Sequence, residues 1–287
     1  MFRPCIDLHE GKVKQIVGGS LSDGGERLRT NFISDQSAAW FAEIYQRDGL
    51  TGGHVILLGP GNEAEARSAL TAYPGGLQIS GGVNAENARS WIEAGASHVI
   101  VTSSVFRDGR VDGERLAELV KVVGKDRLVL DLSCRKRAAV GPQSGRSRRE
   151  EALNLAPNLN EPPHVGGYED WDYFVVTDRW QKFTDMALSS ESLQMLAQSC
   201  AEFLIHAADV EGLCRGIDVE LVEKLGQWSP IPVTYAGGAN SIADLETVTR
   251  VGQGKVDLTI GSALDIFGGS GVRYAEAVAF NRRKLAK

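Results

Sequence analysis

Ser80-Gly81-Gly82-Val83-Asn84 and Ala236-Gly237-Gly238-Ala239-Asn240 decide how this chain is read. Each follows an apolar run of strand type, Leu77 to Ile79 in one case and Pro232 to Tyr235 in the other, and each leads into a segment of helical composition. Paired glycines at such a junction let the backbone approach a ligand, and the N–H groups opening the helix can hold an anion. One such turn is ordinary punctuation in an α/β protein. Two copies with the glycines and the Asn at the same spacing point to two phosphate sites, one at Gly81 and Gly82 and one at Gly237 and Gly238.

The correspondence extends in both directions. Val99-Ile100-Val101-Thr102-Ser103 follows the first pair and Leu258-Thr259-Ile260-Gly261-Ser262 the second, each an apolar strand ending in small residues able to donate to an anion. Thr102, Ser103, Gly261 and Ser262 are therefore further phosphate-binding candidates. Upstream, Cys5-Ile6-Asp7-Leu8 matches Val129-Leu130-Asp131-Leu132. Asp131 lies 124 positions after Asp7 but Gly237 lies 156 after Gly81, so the second half carries 32 extra residues. The stretch 137–170, rich in Gly, Pro, Ser, Asn and Arg, has the composition of a long surface loop and accounts for them.

Eight strand-type runs alternate with helical ones, the strands near 2–8, 54–58, 77–79, 98–102, 127–132, 202–206, 231–235 and 256–260. One of the helices is expected to open at Asn84 and close at Gly95. In 287 residues with 43% hydrophobic content, this alternation predicts a single (β/α)8 TIM barrel of the α/β class. Its half-barrels span about 1–124 and 125–287, with a surface insertion of about 137–170 after the fifth strand. The active site of such a barrel lies at the carboxyl ends of its strands. The two anion sites then face each other across the mouth, and a ligand reaching both is a bisphosphate.

A net charge of −6 and a pI near 5.5 argue against nucleic acid or an anionic membrane as partner. No apolar run reaches spanning length, and the first strand starts too near Met1 to leave room for a signal peptide. A cytoplasmic monomer whose partner is a small molecule is expected. Cys5, Cys134, Cys200 and Cys214 lack CxxC spacing and read as free thiols in a reducing compartment. No His/Cys/carboxylate cluster has metal spacing, so neither a metal nor another cofactor is expected.

Asp7 and Asp131 end equivalent strands and should point into a shared pocket, where two carboxyl groups in different environments can divide the acid and base roles. The alternative for Asp131 is a structural one, accepting hydrogen bonds from loop amides. After the sixth strand, His206-Ala207-Ala208-Asp209-Val210-Glu211-Gly212 adds Asp209 and Glu211 as candidates.

Taken together, Pro4-Cys5-Ile6-Asp7-Leu8 with Gly11-Lys12-Val13, the glycine pairs, Val129-Leu130-Asp131 with Arg135, and Glu211-Gly212 through Asp218 carry a family resemblance. They resemble the phosphoribosylformimino-aminoimidazole carboxamide ribotide isomerases of histidine biosynthesis, in their eukaryotic, fungal-type form. The resemblance covers nearly the whole chain apart from the insertion. It implies an Amadori rearrangement of an aminoaldose to an aminoketose, on a substrate with a phosphoribosyl group at each end. It also implies Asp7 as the base that removes the C2 proton, and an acid that opens the furanose ring. Trp180 is positioned like the family's aromatic residue that stacks on an imidazole, although an indole packing its loop onto the barrel reads the same way. Arg135 is expected to touch substrate or to hold Asp131.

The family's acid is the Asp of an Asp-Gly pair that aligns with Glu211-Gly212. The longer side chain leaves Glu211, Asp209 and Asp131 all in contention. A Thr that many bacterial members carry at the end of the sixth strand is replaced by His206 or Ala207, and an Asp after the second strand by Leu57 or Leu58. The cyclase subunit that uses this isomerase's product shares the barrel and both phosphate sites. It carries a Lys soon after the first-strand Asp, however, where His9-Glu10 stands here. A bisphosphate sensor that lost the chemistry is the third reading.

Overall fold

Leu128-Val129-Leu130 and Phe203-Leu204-Ile205 are apolar on both faces of a strand, a pattern that is stable only in a sheet covered on both sides. The computed structural model describes residues 1–17, 29–138 and 171–286. It is an α/β fold on a curled, eleven-stranded, mostly parallel sheet. Cys5–His9, Gly53–Leu57, Leu77–Ser80, Val99–Val101, Leu128–Asp131, Glu202–His206, Val233–Ala236 and Val256–Thr259 follow one another, every neighbouring pair parallel. Phe2–Arg3 pairs with Val256–Thr259, so the opening segment touches the last parallel strand before Pro4 and the second one after it. Pro4 has no N–H for a ladder. Its carbonyl still accepts from His54 N at 3.0 Å. Lys12–Ile16 and Thr30–Ile33 extend the sheet antiparallel from Cys5–His9.

Helices follow the parallel strands and bury one face each against the sheet. Gly113–Val123 starts where the Asp112 carboxylate accepts from Glu114 and Arg115 N–H, buries Leu116 and Leu119, and stops at Gly124 with φ +83°. Val219–Trp228 is capped by Asp218, which accepts from Leu221 N–H, and buries Leu221, Val222 and Leu225. Each such cap stabilises its helix by about 1 kcal/mol. The large core lies between helices and sheet, while Ile100, Val129 and Leu204 form a separate cluster. Near the amino ends, the buried Glu202 carboxylate accepts from Gln78 Nε2 at 3.0 Å and from Thr234 Oγ1. Without those donors its burial would be costly.

The first glycine turn departs from expectation. The regular helix runs Ala88–Glu93 and does not start directly after Asn84, whose side-chain oxygen accepts from Glu86 and Asn87 N–H. With Ala88 N donating to Asn84 O at 2.9 Å and Asn84 N to Asn87 Oδ1 at 3.0 Å, these bonds cap a single opening turn, and the regular helix begins one turn later than expected. In the second copy a capping box between Ser241 and Asp244 starts Ile242–Val251 close behind Asn240.

Residues 137 and 138 are strand rather than loop. Cys134–Ala138 pairs antiparallel with Trp171–Thr177, which in turn pairs with Lys182–Ala187. The rest of the expected insertion, 139–170, lies outside the described residues. No helix among the described residues is long and apolar enough to cross a membrane.

Candidate active site

Side chains two apart on a strand share a face. Val129 and Leu204 belong to one apolar cluster, so Asp131 and His206, two residues further along their strands, project on that same side at the carboxyl ends. Cys5 pairs with His54 and Asp7 with Ile56, which sets Asp7 one layer above the Cys5–His54 pair.

Two adjoining pockets open there. One is lined by Gly237, Gly238, Gly261 and Ser262, the other by Gly81, Gly82, Thr102, Ser103, Asp131 and Trp180. Asp7, His206 and Glu211 line both, so these three side chains mark the joint. The glycines are needed for close approach. A Cβ on Gly81 would lie 2.2 Å from Leu57 O and one on Gly237 3.0 Å from Ala207 O, in each case the backbone at the end of the preceding parallel strand. A Cβ on Gly261 would meet Gln15 Oε1 at 2.3 Å.

The carboxyl groups sit in different surroundings. Asp7 accepts from Gln15 Nε2 at 2.9 Å. Burial, then the like charge of Glu211, push its pKa up to about 7 against the opposing pull of His206 and Gln15. Burial also raises Glu211 above its ordinary value, and its Oε2 is buried with no hydrogen-bond partner among the described residues. Gly212, at φ +71°, lets this loop lie against the Ile16 carbonyl, which a Cβ would approach to 2.5 Å. Asp131 is the contrary case. It accepts from Ser133 N at 2.9 Å, Ser133 Oγ at 2.7 Å and Thr102 Oγ1 at 3.3 Å. Burial pushes it up, but His206 and the Ser133 bonds outweigh that and hold it below the ordinary carboxylate value.

His206 Nδ1 stands 3.5 Å from Asp131 Oδ1, an ion-pair separation too long for a good hydrogen bond. Burial pushes the imidazole down, yet Asp131, with Glu211 and Asp7 behind it, carries it up to about 9. His54 goes the other way: burial, then the neighbouring His206, bring it down to about 3 and leave it neutral.

Trp180 reaches the site on a strained turn. Asp178, Arg179 and Trp180, between strands Trp171–Thr177 and Lys182–Ala187, have φ of 51°, 58° and 65°. Non-glycine residues seldom hold such angles in succession without compensating contacts. Here Asp178 N donates to Ser103 Oγ at 3.3 Å, and the indole lies 5.7 Å from the His206 ring, centroid to centroid.

Two expected residues are elsewhere. Arg135 Nε donates to Asp209 Oδ1 at 2.7 Å, and Lys136 N to Asp209 Oδ2 at 3.0 Å. The Arg135 and Asp209 side chains are 43% and 41% exposed and line neither pocket. Arg135 therefore holds Asp209, not Asp131. The cause is local: Ala207 bridges to Cys134 and Ala208 N donates to Cys134 O, which carries the next side chain toward the hairpin.

Sequence reading passed over Gln15 and His54 and treated His206 only as a replacement for Thr. Gln15 left one signal, since it shares a strand face with the buried Val13 and is itself buried. Ligand atoms of Cys5, Asp7 and His54 lie within 4.8 Å of one another, a grouping of metal-ligand types that no sequence spacing announces. Burial drives the Cys5 thiol well above its ordinary pKa, and Gln15 occupies Asp7 Oδ2, so the three are arranged as packing around the carboxylate.

The profile of the family described as "Histidine biosynthesis protein" matches residues 1–269. A Neurospora crassa protein named 1-(5-phosphoribosyl)-5-((5-phosphoribosylamino)methylideneamino) imidazole-4-carboxamide isomerase is 50% identical, over 99% of this chain and 99% of its own. Its Saccharomyces cerevisiae namesake is 42% identical over 99% of this chain and 98% of its own. A Medicago truncatula isomerase of that name, designated chloroplastic, is 50% identical over 99% of this chain and 83% of its own.

Proposed function

We infer that this chain, which belongs to the histidine biosynthesis protein family, is an isomerase performing the Amadori rearrangement of the aminoaldose ribotide ProFAR to the aminoketose PRFAR. The observation that carries this reading is the joint of the two pockets at Asp7, His206 and Glu211. A molecule with a phosphoribosyl group at each end, held at Gly81, Gly82, Thr102 and Ser103 on one side and at Gly237, Gly238, Gly261 and Ser262 on the other, has its middle against two carboxyl groups.

In this reading the curled sheet is a (β/α)8 barrel of two half-barrels, about 1–124 and 125–287. The matching backing of Gly81 and Gly237 by the preceding strand supports it. Both phosphate sites and both carboxyl groups come from one chain. A cytoplasmic monomer acting on a small molecule therefore suffices, with neither nucleic acid nor a membrane as partner.

The environments divide the roles. Glu211, raised and with its Oε2 unpartnered among the described residues, is the acid that gives its proton to the furanose ring oxygen as the C1–O bond breaks and a Schiff base forms. Asp7 in its ionised form takes the C2 proton, and the electron pair moves into the C1–C2 bond to give an enolamine. Protonation at C1 and loss of the enol proton then complete the aminoketose. Asp131, already ionised and held by Ser133, Thr102 and His206, anchors the site and has no proton to give. Trp180 stacks on the imidazole ring of the substrate.

The test is direct. Purified protein mixed with the aminoaldose ribotide should produce the absorbance change of isomerisation with no added metal or cofactor. Binding without turnover would remove the enzymatic reading.

A further inference from the structure

The end of the sixth parallel strand holds a buried imidazole to which the acid and base assignments give no task. We propose that His206 is the positioning residue that sets the charge of the site: as an imidazolium pinned to Asp131, it lets the neighbouring Asp7 and Glu211 share a single negative charge. The proposal rests on the isomerase reading and adds a residue to it.

The geometry carries the argument. His206 is 5% exposed, and its Nδ1 is buried with no hydrogen-bond partner among the described residues, 3.5 Å from Asp131 Oδ1. A buried ring nitrogen of this kind is tolerated best as a cation beside a fixed anion. Asp131 is such an anion, because three donors from Ser133 and Thr102 already commit it to the ionised form. His206 also lines both pockets with Asp7 and Glu211, while Asp131 lines only one.

The titratable groups facing the ring are Asp131, Glu211 and Asp7, together with His54, whose ring centroid is 6.1 Å away. His54 is neutral, so it leaves the charge balance untouched. Asp131 and His206 cancel. Two carboxyl groups facing one low-dielectric pocket resist double ionisation, and a cation beside them favours the singly ionised pair over the fully protonated one. That pair is one base and one acid, the combination the rearrangement needs. The Trp180 indole, 5.7 Å from the ring centroid to centroid, adds an apolar neighbour that lowers the local dielectric.

Three variants and one spectroscopic titration test the proposal. His206→Gln keeps the size and hydrogen-bonding capacity without the charge, His206→Asn shortens it, and His206→Thr places a small hydroxyl there. All three should move the acid limb of the kcat/KM pH profile upward by about one pH unit, and lower kcat at neutral pH about tenfold or more, with a smaller change in KM. NMR titration of the histidine rings, with His206 assigned in the wild-type protein through its contact with the Trp180 ring, should show His206 charged at neutral pH and losing its proton above it. This second measurement uses the wild-type protein without substrate, so it stands whether or not the variants fold and whether or not the ribotide is turned over. An unmoved acid limb in His206→Gln, or a His206 ring that is neutral at pH 7, overturns the proposal.

Discussion

Gln15 donates from Nε2 to Oδ2 of Asp7 over 2.9 Å, so the carboxylate at the end of the first strand is aimed by a residue on the antiparallel strand beside it. The same side chain turns Oε1 toward Gly261 so closely that a Cβ there would lie 2.3 Å away. One glutamine thus ties the proposed base to the turn proposed to hold a phosphate. Gln15→Leu removes the donor but keeps the bulk. It should lower kcat about tenfold by freeing the carboxylate's orientation, with thermal stability changing by about 1 kcal/mol or less. Unchanged steady-state kinetics would show that Asp7 is held by other means.

Asp7 links activity to stability with opposite signs. Its carboxyl titrates at about 7 in the folded chain against an ordinary 3.8, so the fold prefers the protonated form. Its contribution to stability is complete below about pH 4 and is lost as pH rises through 7. Asp7→Asn should abolish turnover and yet be more stable than wild type at pH 8, by about 2 kcal/mol, with the gain vanishing toward pH 4. Thermal melts of both proteins across that range decide it; a variant less stable at pH 8 means Asp7 is not desolvated as described.

The two acidic residues after the sixth strand should separate cleanly. Glu211→Gln removes the proposed proton donor at the joint of the pockets and should cost about 100-fold or more in kcat. Asp209→Asn breaks an exposed pair with Arg135 and should stay within about 1 kcal/mol of wild-type stability, with kcat little changed. Equal kinetic losses in both variants would mean the loop rearranges when substrate binds.

Trp180 is held over the site by three consecutive left-handed residues. Trp180→Ala should raise KM about tenfold, the order expected for losing one stacked aromatic contact, while kcat falls less. A loss confined to kcat points instead to His206, whose ring lies under the indole.

Glycine at 238 is required on two counts, φ of +73° and a Gly216 carbonyl that a Cβ would approach to 2.1 Å. Gly238→Ala should destabilise the fold by about 2–3 kcal/mol and raise KM, because the turn proposed to frame the second phosphate must shift. Gly82, also at positive φ but with nothing within 4 Å of a Cβ, should tolerate Ala with a smaller loss. Chemical denaturation of the two variants side by side measures the difference.

Strand and helix alternation, the paired glycine turns and the two strand-end aspartates could be read from the residues alone. They rest on local chemistry: apolar runs that need two covered faces, and paired glycines that end a strand in a turn at positive φ. The start of the helix at Ala88 could not be read, because the turn that Asn84 caps through Glu86 and Asn87 N–H becomes regular helix only one turn later. Nor could the fates of Arg135 and Asp209, which the bridge between Cys134 and Ala207 turned toward each other and away from the pockets.

Order along the chain determined which residues end each strand, since a strand's alternation follows from its own sequence. Only the curling of the sheet decided which strand ends became neighbours. It brought Gln15 onto Asp7, and it set His206 beside Asp131 and at the shared wall with Glu211. The ionisation of a carboxyl group depends on the charges and donors within a few ångströms of it, and those come from segments far apart in sequence. For that reason the candidate acid could be narrowed to Glu211 only after its neighbours in space were known.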